Sequence, residues 1–585
     1  MKRTLDRDSL RLALAASRAP LVLSALGAIS GVLAGLTIVA LRGMIDWLSS
    51  GFMPGAGPEN FEGLSLGMRV ALPLGGAVLL GGIFSLLSPA RRRVGLMHVL
   101  DRLHFHDGQL PASNILVQFF GAVIALLSGH SVGRESPSIH LGAGVASQLA
   151  GGLSLPDNST RVLIACGTAA GIAASFNTPL AGVVFAMEVV LMEYTAAGFA
   201  PVILAAVAAT AVTRTVFDAS VEFDLPPFEL MAVWELAMMT LLGLMIGVLS
   251  VVFSGLIRLT QRTLAGWPVM ARFTLAGFVC AAFATVLPEV LGLGYDTVNR
   301  TIQEGSPVAL LLALVCAKII ATGFCVGAGI PGGLIGPSLI VGGLAGALWT
   351  ESFGVLFATQ SHPGLYVLMG MGAMMSAMLQ APMAGLLALL ELTGNPNLIM
   401  PGMLATIAAN LTYKEVLGRD SVIFQIMSDQ GVRPDATPMA RTLSRVGVSA
   451  VMTSGVVRTP RRVLVKTVQT LLERAPNWFS VTDGDAVFVV SAEDLRSHID
   501  GLEPEGELDL AELPLRRLRV VDVRMQATCL VAHAELVRSG AEAVRVTHRS
   551  RRHPEALQVL GVLTPRDLEA LLRVQPEVPL TRGPD

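Results

Sequence analysis

Long apolar stretches alternate with short polar or glycine-rich segments along the first 430 residues of the chain. Residues 21–41, 70–87, 236–253 and 308–326 are such stretches. Each is close to the about 20 residues that an α-helix needs to cross a lipid bilayer. Apolar and charged positions are interleaved only after this part. The pattern predicts an all-α polytopic membrane domain followed by a soluble tail.

The distribution of charge supports this division. Overall, 52% of the residues are hydrophobic and 15% are charged, whereas soluble domains have about 25% charged residues. Of the 86 charged side chains, 39 lie in residues 441–585. We therefore predict a cytoplasmic amphipathic helix at 1–19, a membrane domain at 20–429, a linker at 430–440 and a cytoplasmic domain at 441–585.

Composition also narrows the class of function. No basic stretch interleaved with aromatic residues indicates a nucleic-acid partner, and the five cysteines stand singly, which is not the pattern of a disulfide framework or a zinc site. Basic residues precede the first apolar stretch and occur again at 91–93, after the second. By the positive-inside rule, we expect a multi-pass protein of the plasma (inner) membrane with both termini in the cytoplasm.

Two landmarks occur twice in the same order. Residues 133–137 read Gly-Arg-Glu-Ser-Pro and residues 333–337 read Gly-Leu-Ile-Gly-Pro. About 45 residues later, each is followed by a P-x-A-G segment that leads to a glutamate nine residues after its proline, Glu188 and Glu391. The start of a packed helix would explain one such segment. The paired order instead predicts two homologous halves, inverted in the membrane, with a binding site at their interface.

Each G-x-x-x-P segment lies in a glycine-rich stretch and precedes an apolar helical run. We therefore expect two helix N-termini inside the membrane, where free N–H groups and positive dipole ends attract an anion. Glu135 lies in the first of these segments. Its ionised carboxylate would compete with the anion for the same N–H groups, which makes Glu135 the candidate gate. The alternative is a simple helix cap.

Together with Gly-His-Ser-Val at 129–132 and Leu-Gly-Tyr-Asp-Thr-Val at 293–298, these motifs resemble the CLC family of chloride channels and chloride/proton antiporters, over roughly residues 20–430. The resemblance implies a homodimer with a pore in each subunit, chloride as the transported ion and Glu135 as the external gate. Neither a cofactor, a metal nor an enzymatic activity is expected. The resemblance also implies anion contacts through the backbone amides of Gly133, Arg134, Glu135, Ser136, Gly333, Leu334, Ile335 and Gly336.

Two departures from the family pattern concern the central anion site. The first anion motif of the family falls at residues 93–97, where Val94 replaces its serine. The central tyrosine of the family falls at Ile423, or at Phe424 with a shift of one residue, and Tyr413 precedes that position by about ten residues. Without the two hydroxyl groups, we expect central binding to rest on backbone amides and to be weaker or less selective.

A third departure concerns protons. Antiporters of the family usually carry an intracellular glutamate directly after the position of Glu188, where this chain has Val189. Glu193, about one turn further on, is either a substitute or a solvated helix end. The sequence therefore favours passive or loosely proton-coupled chloride transport, with strict chloride/proton antiport as the alternative.

The tail resembles a degenerate pair of CBS domains, whose closing strands fall at 487–494 and 560–567. The resemblance implies a small α/β cytoplasmic domain. Each closing strand leads into an S/T-x-x-D sequence, Ser491 to Asp494 and Thr564 to Asp567. In CBS domains such residues can bind an adenine nucleotide, whereas locally the pattern is a helix N-cap box. Dimerisation and gating contacts are the favoured role of the tail. A membrane-anchored nucleotide sensor is the alternative function from another class.

Overall fold

The computed structural model describes residues 19–53, 60–194, 196–217, 232–354, 362–431, 438–484, 486–499, 503–549 and 557–573. The described chain forms two compact units, a helical unit within residues 20–153 and 160–434 and an α/β unit in the tail. The amphipathic helix predicted at 1–19 lies outside the described residues, except for Ala19.

The helical unit is built almost entirely from α-helices. Two of the helices continue into π-helical turns, Ala186–Leu191 and Thr412–Val416. The helices are α1 (Ala19–Ser49), α2 (Leu66–Leu86), α3 (Gly95–Phe105), α4 (Ala112–Leu127), α5 (Glu135–Leu153), α6 (Asp157–Phe176), α7 (Pro179–Phe185), α8 (Ala196–Arg214), α9 (Glu235–Leu264), α10 (Val269–Ala284), α11 (Tyr295–Glu304), α12 (Val308–Ala328), α13 (Ile335–Phe353), α14 (Pro363–Leu379), α15 (Pro382–Thr393), α16 (Ile399–Leu411) and α17 (Val422–Asp429).

The apolar stretches of the sequence form long helices. Among the described residues, five helices are long and apolar enough to cross a membrane, namely Pro20–Ser49, Leu66–Leu86, Asp157–Phe176, Glu235–Leu264 and Val308–Ala328. Four of the five overlap the stretches that the sequence pattern predicts as spans, so those helices are confirmed. Other apolar helices, such as α4 and α14, are shorter.

The repeat in the sequence is also a repeat of helix packing. In the first half, α5 and α6 meet at Gly142 and Gly167, where a Cβ on either residue would lie 2.1 or 2.2 Å from the carbonyl oxygen of the other. In the second half, α13 and α14 meet at Gly342 and Gly370, and both distances are 2.2 Å. Only glycine permits such a close approach of two helix backbones. Each half therefore contains the same kind of close contact between two of its own helices.

The tail unit contains a β-α-β-β-α arrangement twice, once within residues 456–499 and once within residues 518–573. Its elements in chain order are α18 (Pro438–Arg445), α19 (Val448–Val451), β1 (Thr453–Ser454), β2 (Val456–Pro460), β3 (Arg462–Leu464), α20 (Val465–Leu472), β4 (Trp478–Asp483), β5 (Ala486–Ser491), α21 (Ala492–Ile499), β6 (Glu507–Asp509), β7 (Leu518–Arg524), α22 (Cys529–Ser539), β8 (Ala543–Arg549), β9 (Leu557–Leu563) and α23 (Pro565–Arg573).

One main sheet joins the two arrangements in the order β1-β9-β8-β7-β5-β4-β2, and β3 pairs with β6 separately. Within the sheet, β2 with β4 and β7 with β8 are parallel pairs, and the other pairs are antiparallel. The small α/β tail domain is thereby confirmed. Helix α18 begins at Pro438, so the last three residues of the predicted linker at 430–440 are helical, and residues 432–437 lie outside the described chain.

Candidate anion site and gate

The two G-x-x-x-P segments meet at their first residues. The N–H of Gly133 donates to the carbonyl oxygen of Gly333 at 2.7 Å, and the N–H of Gly333 donates to the carbonyl oxygen of Gly133 at 2.8 Å. This exchange brings the starts of α5 and α13 together. In this conformation the two amides bind each other and are not free for an anion, and an anion contact of Gly133 and Gly333 stays a prediction.

Glu135, the first residue of α5, is fully buried at this junction. Its Oε2 accepts a hydrogen bond from the N–H of Gly336 at 3.0 Å, and its Oε1 accepts one from the hydroxyl of Tyr295 at 3.3 Å. Gly336 is the second residue of α13. The carboxylate of one half therefore occupies the N-terminus of the helix from the other half, where N–H groups favour negative charge. An anion at this position would use the same donors.

The start of α3 offers fewer free donors than the sequence predicts. The N–H of Gly95 donates to Gln118 Oε1 at 2.6 Å, and the N–H of Leu96 donates to Ser136 Oγ at 3.0 Å. Val94 stands in front of these residues with an extended backbone. Gly95 and Leu96 belong to the 93–97 segment, so two backbone amides of that segment are already hydrogen-bonded to side chains.

The other residues considered for the central site lie at the end of the helical unit. Ile423 is buried in the first turn of α17, and Phe424 beside it is half-buried. The hydroxyl of Tyr413 accepts a hydrogen bond from Gln425 Nε2 at 2.9 Å, and Gln425 Oε1 accepts one from Arg258 at 2.6 Å. Tyr413 therefore belongs to a side-chain network of its own.

The two repeated glutamates cap each other's helices. Glu188 accepts hydrogen bonds from two N–H groups in the first turn of α15, at 3.2 and 2.9 Å, and Glu391 accepts from two in the first turn of α7, at 2.9 and 2.7 Å. Val189 is buried in the π-helical turn after α7, and Glu193 follows that turn. The geometry gives Glu188 a capping role. A place for Glu188, Val189 or Glu193 on a proton path stays a prediction.

A cavity with three charged residues in a mainly apolar lining lies beside Arg134, the residue before the gate. Arg42, Asp46 and Arg134 are among its lining residues. The guanidinium carbon of Arg134 lies 5.6 Å from the ring centroid of Phe176 and 5.8 Å from that of Tyr295. These cation–π contacts orient Arg134. Asp46 offsets part of the charge of the two guanidinium groups, and the remaining positive charge favours an anion in this cavity.

A second cavity has Glu135 among its lining residues and is almost entirely apolar. Its walls come from α6, α7, α13, α14 and α15, with Phe176, Phe185 and Met375 among the lining residues and Thr178 as a hydroxyl-bearing one. An ionised group is costly in such surroundings, whereas a neutral carboxylic acid is far less so. The cavity can therefore receive the Glu135 side chain in its protonated form.

The S/T-x-x-D residues of the tail form helix caps. The N–H and the hydroxyl of Thr564 both donate to Asp567 Oδ2, at 2.7 and 2.8 Å. Ser491 Oγ accepts from the N–H of Glu493 at 3.3 Å, and Asp494 is exposed. Because Thr564 and Asp567 bind each other, these contacts give an adenine-nucleotide site no support. Within the described residues, no group of three or more His, Cys, Asp or Glu side chains could hold a metal ion.

Two site residues are absent from the sequence prediction. Tyr295, one of four tyrosines in the chain, is buried and reaches Glu135, and Gln118 is fully buried in the largely apolar helix α4. A polar side chain inside a membrane helix is costly and is therefore a usable signal. That signal marks Gln118. It does not mark Tyr295, which begins helix α11 among other polar residues.

Comparison with known proteins identifies the family. Residues 76–414, more than half of the chain, match the family profile described as "Voltage gated chloride channel". The chain belongs to the CLC family. This CLC protein is 32% identical over 354 residues to a ClcB-like protein of Ralstonia nicotianae, a match that covers 59% of this chain and 82% of that relative. It is also 32% identical over 321 residues to the H+/Cl− exchange transporter ClcA of Vibrio cholerae, covering 53% and 68%.

Solved structures show the same fold. A slow cyanobacterial Cl−/H+ antiporter superposes with a TM-score of 0.60 at 22% identity, covering 70% of this chain and 97% of that one. A eukaryotic CLC transporter superposes with a TM-score of 0.59 at 18% identity, covering 93% and 97%. The predicted CLC fold is thereby confirmed, and this CLC protein is a multi-pass membrane protein that transports anions.

Proposed function

We propose that this CLC protein exchanges chloride for protons, with Glu135 as both the anion gate and the proton acceptor. One observation carries the proposal: the buried Glu135 carboxylate accepts the Gly336 N–H at the start of α13, at 3.0 Å. While ionised, Glu135 holds a donor that chloride needs. Once protonated, it loses its attraction to the helix end and can turn into the apolar cavity.

Two further charged residues take part in the cycle. Arg42 and Arg134 draw chloride into the adjoining cavity, and chloride then takes the place of the carboxylate at the start of α13. The helix dipole supplies attraction without a full positive charge, so the anion can also leave. When Glu135 releases its proton, the carboxylate returns to Gly336 and Tyr295 and closes the path.

Two of the similar proteins have names that favour exchange over a passive channel, whereas the Ralstonia nicotianae protein is named a chloride channel protein. The Vibrio cholerae protein is named an H+/Cl− exchange transporter, and the cyanobacterial structure is titled as a Cl−/H+ antiporter. Loosely coupled exchange is the second candidate. It is favoured by Val189, which is buried where antiporters of the family usually carry an intracellular glutamate.

We propose that two copies of the chain form a dimer in the plasma (inner) membrane, with both termini in the cytoplasm. The resemblance to the family supports the dimer, and the basic residues at 91–93 support the orientation. In this proposal the CBS-like tail contributes dimer and gating contacts. The nucleotide-sensor alternative is not proposed, because the helix caps account for Thr564 and Asp567.

The test is reconstitution of the purified protein in liposomes with a chloride gradient and no proton gradient. Exchange predicts that chloride leaving the vesicles drives protons inward against their own gradient. Loose coupling predicts the same movement with fewer protons for each chloride. Chloride flux with no proton movement would overturn the proposal and leave a passive channel.

A further inference from the structure

Two buried histidines contact each other directly beside the junction. His98 lies near the start of α3 and His140 in the second turn of α5, and the two residues are 3% and 0% exposed. His98 Nδ1 is 2.8 Å from His140 Nε2. His98 follows Leu96 on α3 and His140 follows Ser136 on α5, and the N–H of Leu96 donates to Ser136. His140 follows Ser136 by one turn, about 6 Å along the helix axis.

The neighbouring hydrogen bonds assign the protons of this pair. Arg102 Nε donates to His98 Nε2 at 3.3 Å, so Nε2 is the acceptor and Nδ1 of His98 carries the proton that is donated to His140. The proton of neutral His140 is then on Nδ1. Within the described part of the chain, this Nδ1 has no hydrogen-bond partner. The pair thus has an acceptor at one end and an unused donor at the other.

The charged and titratable groups that act on the pair lie on the His98 side. They are Arg102, Arg93 and His106, and Asp101 offsets part of their charge by binding Arg93 at 3.3 Å. A proton on the pair is therefore repelled by two guanidinium groups. Helix α4, packed on α5, carries no charged residue. Helix α5 itself carries Glu135 at its start. The other helices packed on α5 carry the charged or titratable residues Asp157, Arg161, Cys166 and Glu351.

We propose that the His98–His140 pair is a proton-binding site coupled to the anion site. This inference rests on the proposed function, because it requires an anion at the junction where the starts of α5 and α13 meet. A proton enters at His98 Nε2, where it displaces the Arg102 N–H. The proton between the rings can then shift from His98 Nδ1 to His140 Nε2, so that the two rings share one positive charge, and the bound proton leaves by the route through which it entered. Charge and atoms are conserved at each step.

The charged pair lies about one helix turn from Ser136, in the first turn of α5 at the junction. An anion at the junction offsets the repulsion from Arg102 and Arg93, so it favours the charged pair. By linkage, a proton on the pair must then strengthen anion binding by the same factor. The pair supplies a proton-binding group in a chain that has Val189 at the family's second glutamate position.

The test measures chloride binding by isothermal titration calorimetry to the full-length protein with Glu135→Gln, so that the gate does not titrate. Because the pair is buried and faces two guanidinium groups, the titration extends to acid: between about pH 4 and about pH 8 we expect the Kd for chloride to rise about fivefold or more. Adding His98→Asn and His140→Gln keeps the donor and the acceptor of the pair without a titrating ring. This variant is expected to bind chloride with a Kd that no longer depends on pH.

His104→Asn is the matched control, because His104 lies on the same helix and bonds to the carbonyl oxygen of Leu100 instead. It is expected to retain the pH dependence. A Kd independent of pH with Glu135→Gln alone would overturn the inference, as would a pH dependence that survives loss of both rings. No chloride binding at any pH would overturn the proposed function instead. If the double variant melts early, His98→Asn alone provides the same readout.

Discussion

Gly133 and Gly333, 200 residues apart in the chain, exchange two backbone hydrogen bonds of 2.7 and 2.8 Å. These glycines hold equivalent positions in the two halves, and each donates to and accepts from the other. A Cβ on Gly133 would lie 1.9 Å from Glu135 Oε2. The glycine therefore leaves the space in which the Glu135 carboxylate reaches Gly336. The gate results from contact between two halves, and neither half contains it alone.

Replacing Tyr295 with Phe removes the hydroxyl that donates to Glu135 Oε1 at 3.3 Å and keeps the ring beside Arg134. A hydrogen bond to a charged group contributes about 1.5 kcal/mol or more, and its length here places it at the low end. We expect roughly a tenfold higher chloride efflux from liposomes at neutral pH. Little change is expected at acid pH, where the carboxyl is protonated.

Tyr366→Phe is the control for this variant, since the hydroxyl of Tyr366 donates to the buried Glu235 at 2.7 Å in another part of the helical unit. It is expected to lower stability without changing the pH profile of efflux. Equal effects of the two substitutions on that profile would argue against a gate-specific role of Tyr295.

Glu188→Ala and Glu391→Ala each remove the acceptor for two N–H groups at the start of the other half's helix. Loss of a cap costs about 1 to 2 kcal/mol. Because the two caps are equivalent, we expect similar reductions in the thermal midpoint of the purified protein and an unchanged ratio of protons to chloride. A loss of proton movement in Glu188→Gln, with stability intact, would show a proton role that the capping geometry does not require.

Gly342→Ala places a Cβ 2.2 Å from the carbonyl oxygen of Gly370, and α13 and α14 must then separate. Overpacking of this kind costs about 1 to 3 kcal/mol, and contact with backbone rather than side chain favours the upper end. Gly151→Ala is the matched control, because no heavy atom lies within 4 Å of its added Cβ. Thermal unfolding in detergent should separate the two variants, and equal midpoints would contradict the packing seen here.

The tail has a pH dependence of its own. The guanidinium of Arg461, hydrogen-bonded to Asp509 at 2.8 Å, lowers the pKa of Asp509 from 3.8 to about 2. Since the pKa is lower in the folded state, the ionised carboxylate stabilises the tail above pH 3.8, and this stabilisation is lost as the pH falls towards about 2. Asp509→Asn should therefore destabilise the tail at neutral pH and have a progressively smaller effect in acid.

Trp478 lies on β4 and is the tail's tryptophan, so its fluorescence reports this unfolding once the other four tryptophans are replaced by Phe. The measurement compares denaturant midpoints of the tail with and without Asp509→Asn at neutral pH and near pH 2. A difference between the two proteins that is the same at both pH values would contradict the role of Arg461.

The parts of the site that are predictable from sequence are local ones. Each G-x-x-x-P segment and each P-x-A-G segment is a few residues long, and its repetition identifies the halves and places Glu135 at a helix start. Partners are not local: Tyr295 reaches Glu135 across 160 residues, and Glu188 caps α15 rather than its own helix. The amides of Gly133 and Gly333 look free in the sequence, and only the junction of the halves shows that they bind each other.

The central claim is that one carboxylate, Glu135, both blocks the anion and accepts the proton. The most direct measurement follows chloride efflux and proton uptake together in liposomes that contain either the unaltered protein or Glu135→Gln, across a range of pH. The neutral amide cannot compete as an anion or carry a proton. The account predicts faster chloride efflux that no longer depends on the gate's protonation, with no coupled proton movement. Proton movement that persists in Glu135→Gln would contradict it.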